Sequence, residues 1–164
     1  MSVEINIDPA HRLDTLVFEL EAMAERADDL SPVFEVIVDK IMDRNRRGFE
    51  SRGATTGKYW APLRNNTIAS KKSHAYLHPD SPLRATDDLM RSLSEPGAPG
   101  QILEINDSDF TFGTTISYAE FHQTGFTHHK TGRHVPARPP MTIAKKHMQE
   151  YIKDIRDWVL DGEL

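Results

Sequence analysis

Apolar residues at the start of the chain recur three or four positions apart. Leu13, Leu16, Val17, Leu20, Met23, Ala24 and Ala27 follow this spacing with charged residues between them, which predicts an amphipathic helix over about residues 10–28. Pro9 falls at its first turn, where the missing N–H costs little. Ser31-Pro32 then reads as a second helix start, with Ser31 as N-cap and Pro32 as the first helical residue. Phe34, Ile37, Val38, Ile41 and Phe49 make its apolar stripe.

The pattern breaks after residue 51. Gly53, Gly57, Pro62, Pro79 and Pro82 punctuate residues 52–83, and the few apolar residues there keep no long period. The segment reads as a long loop with one short helix near 65–72, anchored at Trp60 and Leu63. Thr86-Asp-Asp-Leu-Met-Arg-Ser-Leu93 reads as a short helix capped by Thr86, with two acids in its first turn. Leu103 and Ile105, then Phe110 and Phe112, alternate with polar neighbours around Asn106-Asp-Ser-Asp109, which predicts a β-hairpin over about 101–115. Residues 124–140 read as a second loop rich in Gly, His, Thr and Pro. Ala144, Met148, Ile152, Ile155 and Val159 mark the apolar face of a last helix over about 141–160.

The expected class is therefore α+β: an antiparallel β-sheet packed against long N-terminal and C-terminal helices, with long loops. Residues 1–164 read as a single domain, with a helical part over 10–51, the long loop over 52–83, and an α+β part over 84–164.

Composition adds to this picture. Hydrophobic residues make up 38% of the 164 positions, below the share of an ordinary globular domain, so the protein is expected either to be partly extended or to complete its core against neighbours. The formal net charge is -5, which gives no global nucleic-acid signal. With no cysteines there is no disulfide, thiolate metal site or thiol nucleophile. The N-terminal stretch 1–8 lacks the basic start and apolar run of a secretory signal. No apolar stretch approaches the ~20 residues needed to span a bilayer. A cytosol-like compartment, or export within a particle, is expected.

Four histidines crowd the second loop region: His122, His128, His129 and His134. They form no HExxH pattern, and adjacent residues in an extended chain point their rings apart, which is poor zinc geometry. Ser117 and His122 lack the GxSxG elbow of a serine nucleophile, and Gly53-Ala-Thr-Thr-Gly57-Lys58 has the wrong spacing for a phosphate loop. Arg44, Arg46, Arg47, Arg52, Lys58, Arg64, Lys71, Lys72 and Arg84 make residues 44–84 a basic segment within an acidic chain. Cations ending a helix are partly structural, and the remainder suits a subunit interface or a phosphate backbone. Arg138 between Pro136 and Pro139 is either held out for a bidentate carboxylate contact or part of an ordinary loop. Tyr118, Phe121 and His122 share one face of a short helix tucked under the sheet and ending at Gly125, with His122 as a packing residue rather than a base.

Several words recur in a fixed order: Trp60-Ala-Pro-Leu63, Thr67 with Lys71, the Leu83, Leu89 and Ser92 helix, Phe112-Gly-Thr114, Tyr118-Ala-x-x-His122-Gln123-x-Gly125, and Pro136-Ala-Arg-Pro139. Over roughly residues 45–160 this series resembles the phage virion morphogenesis, or tail completion, family. The resemblance departs at Pro140, where the family often carries a large apolar residue; here Met141 follows one place later.

The resemblance implies a structural part of a phage or prophage virion, not an enzyme, which needs no cofactor or metal. Its partners would be copies of itself in a ring, a hexamer by this resemblance, together with head–tail connector and tail tube proteins. No membrane is involved and no specific nucleic-acid binding is expected. Its place would be the tail or head–tail junction, after assembly in the host cytoplasm, and the long loops would order on assembly. The expected assembly interface comprises Arg46, Arg47, Trp60, Leu63, Lys71, Tyr118, His122, Gln123 and Arg138. Two other readings stay open: a metal-dependent hydrolase using the histidine-rich loop, and a nucleic-acid-binding module using residues 44–84.

Overall fold

Helix α2 (Ser31–Glu50) is the spine of the protein, because its apolar stripe is the longest series of buried side chains among the described residues. A computed structural model describes residues 9–57 and 59–164. The N-terminal stretch 1–8 and Lys58, both considered above, lie outside the described residues. Val33, Phe34, Ile37 and Ile41 of α2 form one core cluster with Tyr151, and Phe49 at its far end forms a second with Trp60, Leu89 and Leu93. Phe112 packs against both clusters.

Helix α1 (Pro9–Asp28) precedes α2, and the turn between them is tied down locally. The Asp29 carboxylate accepts from both the backbone N–H and the hydroxyl of Ser31. Ser31 is thus the first helical residue and not the cap, and Leu30 occupies the cap position. A short 3-10 turn (Ala54–Thr56) leads to α3 (Asn65–Ser73), and α4 (Asp88–Ser94) follows. The expected Thr86 cap is displaced as well. Asp87 takes the cap position in a left-handed conformation, while the Thr86 hydroxyl donates to the Asp88 carboxylate.

Strands β1 (Gln101–Ile105) and β2 (Phe110–Thr114) pair antiparallel as expected, with Leu103 opposite Phe112 and Ile105 opposite Phe110. The hairpin meets α2 through tilted rings of Phe34 and Phe110, 5.2 Å apart, while Leu103 stays exposed. After α5 (Ala119–Thr124) comes a second antiparallel hairpin inside the expected loop, β3 (Phe126–His128) with β4 (Arg133–Val135). The architecture is α+β, and its antiparallel pairing is confined to these two-stranded hairpins among the described residues.

The last helix, α6 (Lys145–Asp161), packs against α2 with a face rotated from the expected one: Ile155 of the expected stripe does meet the core, beside Tyr151 and Trp158. His147 and Tyr151 are buried, and Arg44 bonds the Tyr151 hydroxyl and pairs with Glu150. The Lys40 ammonium reaches Asp154 at 2.7 Å. The stripe read as the buried face is therefore turned outward at Met148 and Ile152. Helix α1 differs in the same sense: Leu13, Leu16, Val17, Phe18 and Leu20 are all exposed, Phe18 at 71%. The root of α1 is fastened to α6 and to the turn before α2. Arg26 donates to the carbonyls of Val159 and Leu160, and the Trp158 indole donates to that of Asp29.

Candidate assembly surface

Trp60-Ala-Pro-Leu63 and Pro136-Ala-Arg-Pro139 are brought together by Arg138. Its guanidinium donates to the Ala61 carbonyl at 2.7 Å and the Pro62 carbonyl at 3.2 Å, and its own N–H donates to the His122 carbonyl at 2.8 Å. Arg138 is only 7% exposed, and burial pushes its pKa down. It is thus a buried clamp on backbone carbonyls rather than an arginine held out toward a carboxylate. The prolines on either side fix its backbone, so little freedom is lost in making these bonds.

The Tyr118–Gly125 word joins the same knot. Gln123 donates to the Met141 carbonyl at 2.9 Å, tying α5 to the segment that leads into α6. Gly125 has φ +76, and a Cβ there would stand 2.8 Å from the Ala137 nitrogen and 2.9 Å from the Val135 oxygen. Only glycine lets the chain pass so close. The Tyr118 and His122 rings meet in a T-shaped pair, with centroids 6.0 Å apart. Helix α5 is not tucked under the sheet, since Tyr118 and Phe121 are exposed and none of its residues is fully buried. His122 Nδ1 is buried without a hydrogen-bond partner among the described residues. Burial, followed by the nearby Arg138 charge, holds the His122 imidazole below its ordinary pKa, so it is neutral near pH 7.

Five of the expected interface residues line one cleft of about 210 Å³: Leu63, Lys71, Tyr118, His122 and Arg138. Lys71 is buried at its wall. Its ammonium donates to the carbonyls of His78, Ser81 and Arg84, at 2.6, 2.7 and 3.0 Å. These bonds fold the 74–84 segment around one side chain and leave that ammonium no free donor. Trp60 lies on the other side of the clamp. It packs edge-on to Phe49 at 5.5 Å and lines a larger groove of about 580 Å³ with Tyr59, Thr124, His134, Pro136 and Pro139.

Arg46 and Arg47 are not part of this knot. Both pair with Asp43 one turn earlier on α2, and Arg47 borders a separate hollow with Lys40, Arg44 and Glu150. The basic segment as a whole is largely neutralised. Arg44 pairs with Glu150, Arg52 with Asp80, and Arg84 with Asp87. A phosphate-binding stripe needs cations free to face the ligand, and most of these face carboxylates or carbonyls.

The histidine-rich loop is arranged differently from the extended-chain expectation. The chain turns at the end of β3, and the rings of His128 and His129 stack 5.4 Å apart instead of pointing away from each other. Among the described residues no group of three or more His, Asp or Glu side chains is placed to hold a metal ion. No helix among the described residues is long and apolar enough to cross a membrane.

The periodicity of the sequence carries no sign that three words so far apart meet, and the β3–β4 hairpin that presents His134 to the groove lies where a loop is expected. Its signal is confined to Phe126, Val135 and Gly132. Neither the curated proteins nor the solved structures contain a match to this chain. The sequence model described as the phage virion morphogenesis family matches residues 12–160, which takes in most of α1, the Arg138 knot and nearly all of α6, and the chain belongs to that family.

Proposed function

We propose that the protein completes the phage tail, or joins it to the head, as a structural part that assembles with its own copies into a ring and turns over no substrate. Family membership supplies the role in virion morphogenesis. The observation that carries the finer reading is the apolar face of α1, with four large side chains, Leu13, Leu16, Val17 and Leu20, in the open. Soluble monomers rarely leave a contiguous face of this kind uncovered, and a subunit that finishes its core against neighbours accounts for it. A six-fold ring, closed by head-to-tail contacts between identical copies, is the form this reading favours. Connector and tail tube proteins are its other partners.

Electron microscopy of particles from a host in which the gene is disrupted tests this reading. Filled heads separate from unattached or irregularly long tails are the expected result. Normal infectious particles would overturn it. No observation favours the hydrolase or nucleic-acid reading, given the paired cations and the absence of a metal-ligand cluster among the described residues.

A further inference from the structure

We infer that the α1 arm of one copy docks on the outward stripe of α6 in a second copy, as a head-to-tail contact. This rests on the assembly reading above and names the two surfaces that meet.

The arm offers Leu13, Leu16, Val17 and Leu20 on one helical face, all exposed. Asp14 and Glu21 border that face. Over Leu13–Glu21 there are three acids, with Glu19, and no Lys, Arg or His. The acceptor is the face of α6 that the protein's own core does not use. Met148 and Ile152 stand exposed there one turn apart, Ile152 at 61%, while Ile155, the next on the line, is half-buried and packs on the core.

Charge selects this pairing. The acids Glu150 and Asp154 of α6 turn toward α2, where Lys40 and Arg44 pair with them. The outward edge keeps exposed Lys145 and Lys146, together with Lys153 and Arg156, which share the single carboxylate of Asp157. An acidic-edged apolar helix thus has a basic-edged apolar helix to meet. Two arms facing each other would instead set acids against acids. The surfaces differ, so every copy has one arm to give and one stripe to receive, which is what a closed ring of identical subunits requires.

The absence of cysteine allows a clean test. Two single variants, Leu16→Cys and Ile152→Cys, are purified, mixed at high concentration and oxidised. Both positions are exposed, and unchanged thermal unfolding checks that each variant folds. The expected product is a mixed 16-to-152 disulfide dimer, weakened by high salt and by Glu21→Lys in the arm-bearing chain. A 16-to-16 link as the main product would mean that two arms pair symmetrically. No link of either kind would mean that the arm's partner is a different protein. Either of these overturns the proposal. The gene-disruption phenotype does not depend on this chemistry, so a failed link with separated heads and tails would sink the docking geometry and leave the completion role standing.

Discussion

Arg138 and Ala61 stand 77 positions apart in the chain, yet the guanidinium Nε donates to the Ala61 carbonyl at 2.7 Å. Through this bond and its neighbour to Pro62, a buried cation holds together two segments that have little apolar surface of their own. Replacing Arg138 with Met keeps much of the volume and strands two carbonyls. Loss of charged hydrogen bonds of this kind costs about 2–3 kcal/mol, so the denaturant midpoint should fall accordingly. Arg138→Lys, which cannot span both carbonyls, should recover only part of the loss.

Gly125→Ala tests the close approach of α5 to the 135–137 segment. The new Cβ would meet backbone atoms at under 3 Å in a left-handed conformation, so the backbone itself must move. A destabilisation of about 1–3 kcal/mol is expected for strain of this type. Amide hydrogen exchange should speed up at Arg138, whose N–H bonds the His122 carbonyl across this junction.

Lys71→Met removes the ammonium that three carbonyls share. The methionine fills part of the space but leaves His78, Ser81 and Arg84 carbonyls without their donor. Limited proteolysis should then cut between residues 74 and 86 well before the α2–α6 core opens. Cleavage elsewhere first, or an unchanged digestion pattern, would show that the segment is held by other contacts.

Acid should weaken the fold through two histidines. His122 is held below its ordinary value near 6.5 by burial and then Arg138; His147 is lowered by burial, then Arg44 and Lys146, and its Nδ1 accepts from the Ala144 N–H. The folded protein therefore binds fewer protons than the unfolded chain once the pH drops below about 6.5. Stability present above that pH should be lost as it falls toward the depressed folded values. A pH series of thermal midpoints checks this, and His122→Asn should flatten the slope in that window.

The long helices were legible because each carries a repeated apolar period, and the β1–β2 hairpin because Ile105, Phe110 and Phe112 alternate around a polar turn. Helix ends were misplaced by one or two residues where a carboxylate took over the turn, as at Asp29, or a left-handed residue did, as at Asp87. The buried face of α6 was misread for a related reason. Period alone does not say which of two neighbouring stripes turns inward, and here His147 and Tyr151, with polar tips, win through their contacts to Ala144 and Arg44.

The candidate surface was legible as a series of words and not as a place. Hydrogen bonds from Arg138 to Ala61 and Pro62 leave no periodic trace in the sequence. In the sequence Arg46 and Arg47 fall into one basic segment with Lys71. In the fold the arginines answer to Asp43 on α2, and the lysine to carbonyls of the loop.

The fastening of Arg26 to the last turn of α6 bears on more than the stability of one subunit. Two carbonyl bonds at the root of α1 set the direction in which the rest of that helix leaves the body. If neighbours are joined through this helix, that direction becomes the angular step from one subunit to the next. The number of copies that close a circle would then be written at Arg26, a residue whose own bonds stay within one subunit. Loosening this hinge, as in Arg26→Ala, would change how many subunits meet before it changed whether they meet.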